Sequence, residues 1–195
     1  MKRLFDIFFS ILGLILLFPF LLLIIALIKL DSKGTIFYLQ KRVGKKGKIF
    51  KIFKFRTMVQ DADKKGLLSL GKKDTRITKI GHFLRKYKLD ELPQLINVFL
   101  GDMSFVGPRP EVEKYVKLYS EEQKEILAIK PGITDYASLQ FIDEEQILGK
   151  SKNPEKVYIE EIMPKKIALN KKYLKQVSII IDVKIIFRTF FKILR

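Results

Sequence analysis

The chain lacks cysteine altogether, and His82 is the one histidine among its 195 residues. Without cysteine there is no disulfide, no thiolate metal site and no cysteine nucleophile. A histidine-rich metal site or a Ser–His pair would depend on that one imidazole. Catalysis by this chain would therefore rest on carboxylates, lysines and arginines.

Negative charge is also scarce. Lysine and arginine number 38 against 21 aspartates and glutamates, which gives a formal net charge of +17 at pH 7. An excess of this size indicates an anionic partner, such as nucleic acid, anionic lipid or a phosphorylated substrate. Hydrophobic residues make up 48% of the chain, which favours a domain with a real core over a disordered chain.

An uncharged apolar run covers residues 7–28. About 20 apolar residues cross a bilayer core, and the run is too long for a signal peptide. Pro19 lies near its midpoint, where a proline removes one helical hydrogen bond, and basic residues flank both ends. Two arrangements fit: a helix broken at Pro19 that enters and leaves by the cytoplasmic leaflet, or a straight span with a kink.

Two β-prone runs at residues 35–40 and 49–55 surround a turn rich in glycine and lysine at 43–48. This pattern predicts a β-hairpin. In the second run Lys54 and Arg56 alternate with aromatic residues, so the two basic side chains share one face. Such a face is usually solvated.

Three further segments have recognisable patterns. Residues 60–76 are polar and contain glycine, which predicts a mobile connection. Residues 111–130 are predicted to form one charged amphipathic helix that ends at a Pro-Gly pair. Residues 157–175 are helical in pattern, with an interruption at Pro164.

The carboxy-terminal segment, residues 177–195, is apolar apart from a basic stripe at helical spacing formed by Lys184, Arg188, Lys192 and Arg195. A basic stripe on an aliphatic and aromatic helix suits an anionic membrane surface. A terminal helix packed on the core with a wet basic edge is the alternative.

Two adjacent carboxylates, Asp90 and Glu91, stand at the head of an apolar-periodic run over residues 89–100. Pro93 limits where that helix begins, which puts Asp90 at or just before its start, where the peptide dipoles favour an anion. A carboxylate kept ionised suits a nucleophile or a hard-cation ligand. A plain helix cap with a solvated glutamate has the same sequence pattern.

A rigid loop, Gly-Pro-Arg-Pro at residues 107–110, follows that helix. The two prolines hold Arg109 extended, so its guanidinium loses little entropy on meeting a phosphate. An ordinary stiff loop with an exposed arginine is the alternative.

Six stretches in this order and spacing together resemble the bacterial sugar transferase family, the monotopic phosphoglycosyl transferases. They are KRLFD at 2–6, FYLQKRVG at 37–44, KFRTM at 54–58, LDELPQ at 89–94, VGPRP at 106–110 and PGIT at 131–134. The resemblance covers nearly the whole chain and matches the short form of the family, a catalytic core with no added domain.

The resemblance implies an α+β, mostly helical fold with an amino-terminal re-entrant membrane helix, one β-hairpin and amphipathic interfacial helices. Residues 1–30 would form the re-entrant helix. Residues 31–195 would form a catalytic domain on the cytoplasmic face of the bacterial inner membrane, with a carboxy-terminal amphipathic helix. The oligomeric state is not implied.

The implied activity is transfer of a phospho-sugar from a UDP-sugar to a polyprenyl phosphate such as undecaprenyl phosphate, releasing UMP. This would be the first membrane step of glycoconjugate biosynthesis. By the same resemblance Asp90 is the nucleophile that forms a phospho-sugar intermediate, and Glu91 is an acid/base or orienting carboxylate. The remaining implied roles are Mg²⁺ at Asp90, substrate phosphates on Lys54, Arg56, Arg85 and Arg109, and the helix break at Pro19.

The chain departs from the family pattern at three points. Phe18 replaces the serine that commonly precedes the helix-breaking proline, residues 135–138 replace a glycine-rich stretch, and residues 141–143 stand where many members carry an arginine. The last change removes an expected phosphate or nucleotide contact and leaves the donor sugar open.

Another class of function is a basic, membrane-tethered binding module for anionic lipid or nucleic acid. Clustered lysines and phenylalanines would suit a single strand. No recognisable nucleic-acid motif accompanies the charge, so nucleic acid is not the expected partner. A hydrolase that uses Asp90 on a phosphate ester would share the site but would not need a lipid.

Overall fold

The computed structural model describes residues 1–62 and 74–193, where helices predominate over two short sheets. The helices are α1 (Lys2–Asp31), α2 (Lys79–Lys86), α3 (Gln94–Leu100), α4 (Glu113–Val116), α5 (Glu121–Lys124), α6 (Tyr136–Gln140), α7 (Glu144–Lys150), α8 (Pro154–Val157), α9 (Met163–Leu174) and α10 (Ile179–Ile193). The strands are β1 (Phe37–Val43), β2 (Ile49–Phe55), β3 (Ser104–Val106) and β4 (Gly132–Thr134). The expected mostly helical α+β class is confirmed. The predicted mobile connection at 60–76 lies largely outside the described residues.

Helix α1 is long and apolar enough to cross a membrane by length and composition. Pro19 lies inside it and does not separate two helices. A single proline removes one backbone hydrogen bond, while the turns on both sides keep theirs. Ile24 and Ile28 are buried against the body of the protein, whereas most side chains between them and the amino terminus are exposed.

The predicted hairpin is confirmed. Strands β1 and β2 pair antiparallel, with Tyr38 opposite Lys54. Phe50 and Ile52 of β2 pack with Val98, a fully buried side chain of α3. Side chains two apart share a strand face, so Lys54 points the same way, toward the segment that precedes α3. The basic face is therefore not the solvated one that the alternation suggested.

The carboxylate segment lies just before α3, as predicted. Asp90 lies in a 3₁₀ turn, Leu89–Glu91, and Pro93 is the residue before α3. Asp90 is therefore not part of the first turn of α3. The Asn97 side chain fixes α3 to the edge of β2, because its amide accepts from the Phe53 nitrogen at 2.9 Å and donates to the Lys51 carbonyl at 2.8 Å.

A parallel pair, β3 with β4, was not predicted. It joins the VGPRP and PGIT stretches, because the Gly107 nitrogen donates to Thr134 at 3.1 Å and the Gly132 nitrogen donates to Pro108 at 3.0 Å. The two backbones approach so closely that a Cβ on Gly132 would collide with the Gly107 nitrogen. Glycine is needed at this crossing for space.

The prediction of one helix over residues 111–130 is wrong. The segment forms α4, α5 and a 3₁₀ turn, Glu125–Ala128. Ser120 explains the restart, because its hydroxyl accepts from the Gln123 nitrogen while the Gln123 side chain accepts from the Ser120 nitrogen, a capping box that begins a new helix.

The pattern over residues 157–175 is helical in the structure as well. Helix α8 passes through a π-helical stretch, Tyr158–Ile162, directly into α9. Pro164 lies in the first turn of α9, after the π-helical stretch. Proline has no backbone N–H to donate, and at this position of α9 a missing donor is tolerated.

Helix α10 has one buried face and one exposed face. Asp182 and Ile185 are buried, and Ile185 packs with Tyr173 and Val106. The opposite face carries exposed phenylalanines at 187, 190 and 191 beside the basic stripe. The packing on the core that the alternative predicted is confirmed, the contact of the other face with a membrane surface stays a prediction, and Arg195 lies outside the described residues.

Candidate active site

A cavity of about 350 Å³ lies between the hairpin, α2, the loop after β3, α7, the π-helical stretch and α9. Asp90 lines it, as do the four basic residues that the sequence assigned to phosphates: Lys54, Arg56, Arg85 and Arg109. The structure therefore brings these predicted side chains to one cavity. Glu91 does not line the cavity and lies behind the basic residues.

Both carboxylate oxygens of Glu91 are held by cations. Lys54 Nζ donates to Oε1 at 2.9 Å, and Arg109 donates to Oε2 through Nη1 at 3.2 Å and to Oε1 through Nη2. Burial would raise the pKa of Glu91, but Arg109 and Lys54 outweigh it and hold the pKa well below the usual range. Glu91 is therefore a fixed anion that joins the hairpin to the loop carrying Arg109.

Asp90 is in a different state although it is the next residue. Its carboxylate is buried, and within the described part of the chain its Oδ1 has no hydrogen-bond partner. Burial raises the pKa of Asp90, Lys54 opposes that rise, Glu91 adds to it, and Arg85 and Lys88 oppose it. Asp90 lines the cavity, and its Oδ1 is not committed to a structural hydrogen bond, which is compatible with a bond to a ligand atom.

Arg109 owes its position to a residue that sequence reasoning missed. Asp135 is fully buried, and its Oδ2 accepts from the Arg109 backbone nitrogen at 3.1 Å. Its Oδ1 accepts from the Ser138 nitrogen at 2.6 Å and so caps α6. An aspartate directly before a helical run is a typical cap, and that signal was available in the departure at residues 135–138.

A second missed network holds the residues that follow Arg109. Arg42 Nη1 donates to the Pro110 carbonyl at 3.1 Å and to Glu111 Oε1 at 3.3 Å. The Tyr158 hydroxyl donates to Glu111 Oε2. Because these side chains line the same cavity, they connect β1 and the π-helical stretch to the Arg109 loop. Arg42 is in the FYLQKRVG motif, but the strand pattern by itself does not set it apart from a solvated residue.

Arg56 lines the cavity, but its guanidinium donates to backbone carbonyls that follow α1. Nη2 donates to the Ser32 carbonyl at 2.6 Å, and Nη1 donates to the Lys33 carbonyl at 2.5 Å. These carbonyls follow the last turn of α1, whose final C=O groups have no helical partners. The contacts place Arg56 at the carboxyl end of α1, and its predicted phosphate role stays a prediction.

Arg85 and Lys166 each meet a glutamate of α7. Arg85 pairs with Glu145, and Lys166 donates to Glu144 Oε2 at 2.8 Å. The first turn of α7 therefore neutralises two cations of the cavity wall. Neither glutamate was singled out in the sequence, where an acidic pair at a helix start is an ordinary pattern.

The fit to Mg²⁺ depends on Asp90. Within residues 1–62 and 74–193 no cluster of three or more histidine or acidic side chains is arranged to hold a metal by itself. Mg²⁺ is usually held by one or two carboxylates together with substrate phosphates. The unpartnered oxygen of Asp90 fits that pattern for an ion that also binds a substrate phosphate.

The family profile described as bacterial sugar transferase matches residues 1–195. The chain belongs to the bacterial sugar transferase family. The resemblance drawn from the six motifs is thereby confirmed.

Two relatives of this sugar transferase are named for exopolysaccharide production and for transfer of glucose 1-phosphate to undecaprenyl phosphate. It is 41% identical over 196 residues to the exopolysaccharide production protein PSS of Rhizobium leguminosarum bv. phaseoli, covering 97% of the chain and 92% of the relative. It is 41% identical over 194 residues to the UDP-glucose:undecaprenyl-phosphate glucose-1-phosphate transferase of Klebsiella pneumoniae, covering 98% of the chain and 39% of the relative.

A third relative is named for another sugar. The sugar transferase is 35% identical over 191 residues to the UDP-N-acetylgalactosamine-undecaprenyl-phosphate N-acetylgalactosaminephosphotransferase of Aeromonas hydrophila, covering 96% of the chain and 42% of the relative. The chain thus spans less than half the length of these last two relatives.

Proposed function

We propose that this chain transfers a sugar 1-phosphate from a UDP-sugar to undecaprenyl phosphate, releasing UMP, in polysaccharide synthesis. Family membership and the names of the relatives support the reaction class. The observation that carries the proposal is that Asp90, whose buried Oδ1 has no hydrogen-bond partner among the described residues, lines a cavity together with basic side chains. A diphosphate substrate needs those cations, and an aspartyl nucleophile needs a free oxygen.

The chemistry follows from that oxygen. Asp90 attacks the phosphorus that bears the sugar, the bond from this phosphorus to the bridging oxygen breaks, and UMP leaves with the electron pair. A phosphate oxygen of the lipid then attacks the same phosphorus, and Asp90 departs as a carboxylate. Each step exchanges one P–O bond for another, so neither needs a redox partner.

Glu91 acts as an orienting carboxylate in this proposal. Its low pKa and its contacts with Lys54 and Arg109 favour that role over acid/base work, because a group that stays ionised gives up no proton near neutral pH. Lys54 and Arg109 are in turn held where the diphosphate charge arrives. Such preorganised cations stabilise charge that shifts between oxygens in the transition state.

Mg²⁺ belongs to the same proposal. Asp90 would hold it together with the substrate phosphates, and when bound it supplies positive charge to the diphosphate. We expect EDTA to abolish UMP release and excess Mg²⁺ to restore it.

The membrane arrangement in this proposal is a re-entrant α1 on residues 1–30, with the catalytic domain on residues 31–195 at the cytoplasmic face. Contacts at both ends of α1 support it. Near its start, Lys2 Nζ donates to the Val106 carbonyl at 3.0 Å and pairs with Asp182, and near its end Ile28 packs with Leu84. A helix that carried Lys2 to the far side of the bilayer would break the first set. The exposed phenylalanines of α10 would lie on the same membrane surface.

Cysteine labelling tests that arrangement, since the chain offers no background thiol. A cysteine inserted after Met1 and a Lys46→Cys reference in the hairpin turn are each labelled in right-side-out and inside-out vesicles. We expect both to react in inside-out vesicles only. Labelling of the amino terminus from the outside would contradict the re-entrant arrangement.

The activity is tested with a panel of UDP-sugars, Mg²⁺ and undecaprenyl phosphate. We expect one or a few donors to give UMP and a lipid-linked sugar. Without the acceptor, such a donor should give a burst of one UMP per chain and a phospho-sugar mass adduct on Asp90. UMP formation only in the presence of the lipid, with no adduct, would support direct transfer instead.

A further inference from the structure

The cations that line the cavity are already paired. Each arginine and lysine on the described part of its wall meets a carboxylate or a carbonyl. The partners are Glu91 for Lys54 and Arg109, Glu111 for Arg42, Asp74 for Arg76, Glu145 for Arg85, Glu144 for Lys166, and the carbonyls of Ser32 and Lys33 for Arg56. A diphosphate that enters this cavity meets no unpaired cation, so a direct contact requires one pair to open.

The partner carboxylates differ in how much water they already see. The exposed fraction of the side chain is 4% for Asp74, 10% for Glu91, 14% for Glu111 and 24% for Glu144, against 38% for Glu145. Opening a buried pair leaves an uncompensated charge and is costly. Opening a pair whose carboxylate is partly hydrated costs little. Glu145 is therefore the partner most easily displaced.

Its arginine is in the right place to receive the ligand. Arg85 is in the last turn of α2, the helix that leads into the turn with Asp90. Arg85 and Asp90 line the same cavity, so the guanidinium faces the space that a substrate phosphate beside Asp90 would occupy. A phosphate next to Asp90 is within its field.

The element that carries Glu145 can stay in place during the exchange. Helix α7 packs through Leu148, which is 2% exposed and belongs to the core cluster around Tyr115 and Tyr158. Glu145 is on the part of the helix that reaches the cavity wall. A change of its side-chain rotamer frees Arg85 without moving α7.

We propose that Glu145 is an exchangeable counter-ion for Arg85, which holds this guanidinium beside Asp90 in the empty cavity and releases it to the diphosphate of the donor. The inference rests on the proposed function, because the ligand is the UDP moiety of that donor. Glu145 is then a residue that sets donor affinity and is not a catalytic residue.

Calorimetric titration of the purified full chain with UDP and with uridine tests the exchange. The variants are Glu145→Gln, Arg85→Gln and the double variant. Glu122→Gln is the matched control, because Glu122 pairs with Lys171 away from the cavity. We expect Glu145→Gln to bind UDP about two- to fivefold more tightly, since displacement of a partly exposed partner is no longer needed. Uridine affinity and the control should be unchanged.

The double variant decides whether the gain comes through Arg85. In the Arg85→Gln background, Glu145→Gln should give no gain, because the guanidinium that it would free is gone. Glu145→Ala, which also removes the amide oxygen that could still accept from Arg85, should show the same gain as Glu145→Gln when its thermal unfolding is unchanged.

Two results would overturn the inference alone: equal or weaker UDP binding by both Glu145 variants, or a gain that persists without Arg85. A wild-type chain that binds no UDP would contradict the proposed function and this inference with it. If the wild-type chain binds UDP and the Glu145 variants bind it no more tightly, the inference about Glu145 fails while the proposed function stands.

Discussion

The two walls of the cavity hold their ion pairs in different ways. On the wall of the hairpin and the Arg109 loop, Glu91 is buried and both of its oxygens are engaged by Lys54 and Arg109. On the α7 wall, Glu145 has one cation partner and a side chain that is 38% exposed. The contacts of Glu91 hold the first wall in one arrangement, whereas the pair of Glu145 with Arg85 on the second wall can open.

That contrast explains how adjacent residues of similar chemistry acquire different roles. Lys54 comes from β2 and Arg109 from the loop after β3, so Glu91 joins two segments that are distant in sequence. Among residues 1–62 and 74–193, Asp90 makes no such link, and its Oδ1 has no hydrogen-bond partner. A rigid wall that fixes the reacting group and an adaptable wall that admits the substrate are both needed for preorganised catalysis with turnover.

The largest effect is expected from Asp90→Asn. An amide is a far weaker nucleophile than a carboxylate, so UMP release should fall by roughly 10⁴-fold or more. Membrane association and thermal unfolding should be unchanged, and Asp102→Asn is the matched control outside the cavity. UMP release at the wild-type rate from Asp90→Asn would show that Asp90 is not the nucleophile.

Glu91→Gln should lower both stability and activity. The substitution leaves Lys54 and Arg109 without their carboxylate in a buried setting, which should lower the free energy of unfolding by about 3 kcal/mol. UMP release should fall about 100-fold, because the cations lose their positions. Chemical denaturation and steady-state kinetics measure the two effects, with the fully exposed Glu121→Gln as control. An unchanged free energy of unfolding would show that the contacts of Glu91 do not stabilise this wall of the cavity.

Arg109→Lys should have a smaller effect. The guanidinium donates to both oxygens of Glu91, and an ammonium group cannot keep both contacts in that geometry. Loss of one hydrogen bond to a charged group predicts about a tenfold decrease in kcat/KM. The measurement is UMP release over a range of donor concentrations. Kinetics equal to those of wild type would show that a point charge at this position suffices.

The smallest expected effect is a shift in pH dependence. Burial raises the pKa of Asp90, and the nucleophile must be ionised, so kcat/KM should fall as the pH decreases through that raised pKa. Lys54 favours the ionised form, so Lys54→Gln should move this acid limb to higher pH, whereas Lys51→Gln on the exposed face of β2 should not. If the acid limb of kcat/KM does not move in Lys54→Gln, Lys54 does not influence the ionisation of Asp90.

The sequence predicted the hairpin, the apolar amino-terminal helix and the convergence of Asp90, Lys54, Arg85 and Arg109. These features follow from local signals: alternation, a long apolar run, and motif residues whose roles the family resemblance supplied. The split of residues 111–130 was missed, because the capping box at Ser120 was outweighed by a continuous amphipathic pattern.

Other features depend on distant partners and had no local signal. The parallel pairing of β3 with β4 joins strands that are three residues long and separated by α4 and α5. The partners of Arg42, Arg56 and Glu145 likewise come from elsewhere in the chain. Sequence periodicity shows that a charged residue is on a face but does not show which other charge it meets.

The contacts of Arg56 with the carbonyls of Ser32 and Lys33 have a mechanical consequence. Arg56 directly follows β2, which carries Lys54 two positions earlier, so the end of α1 is linked to the cavity wall through a short stretch of chain. With α1 in the membrane as proposed, a change in bilayer thickness or lipid packing that displaces this end of α1 would move Arg56 and the end of β2 with it. Turnover should then depend on acyl-chain length even when the lipid substrate is saturating.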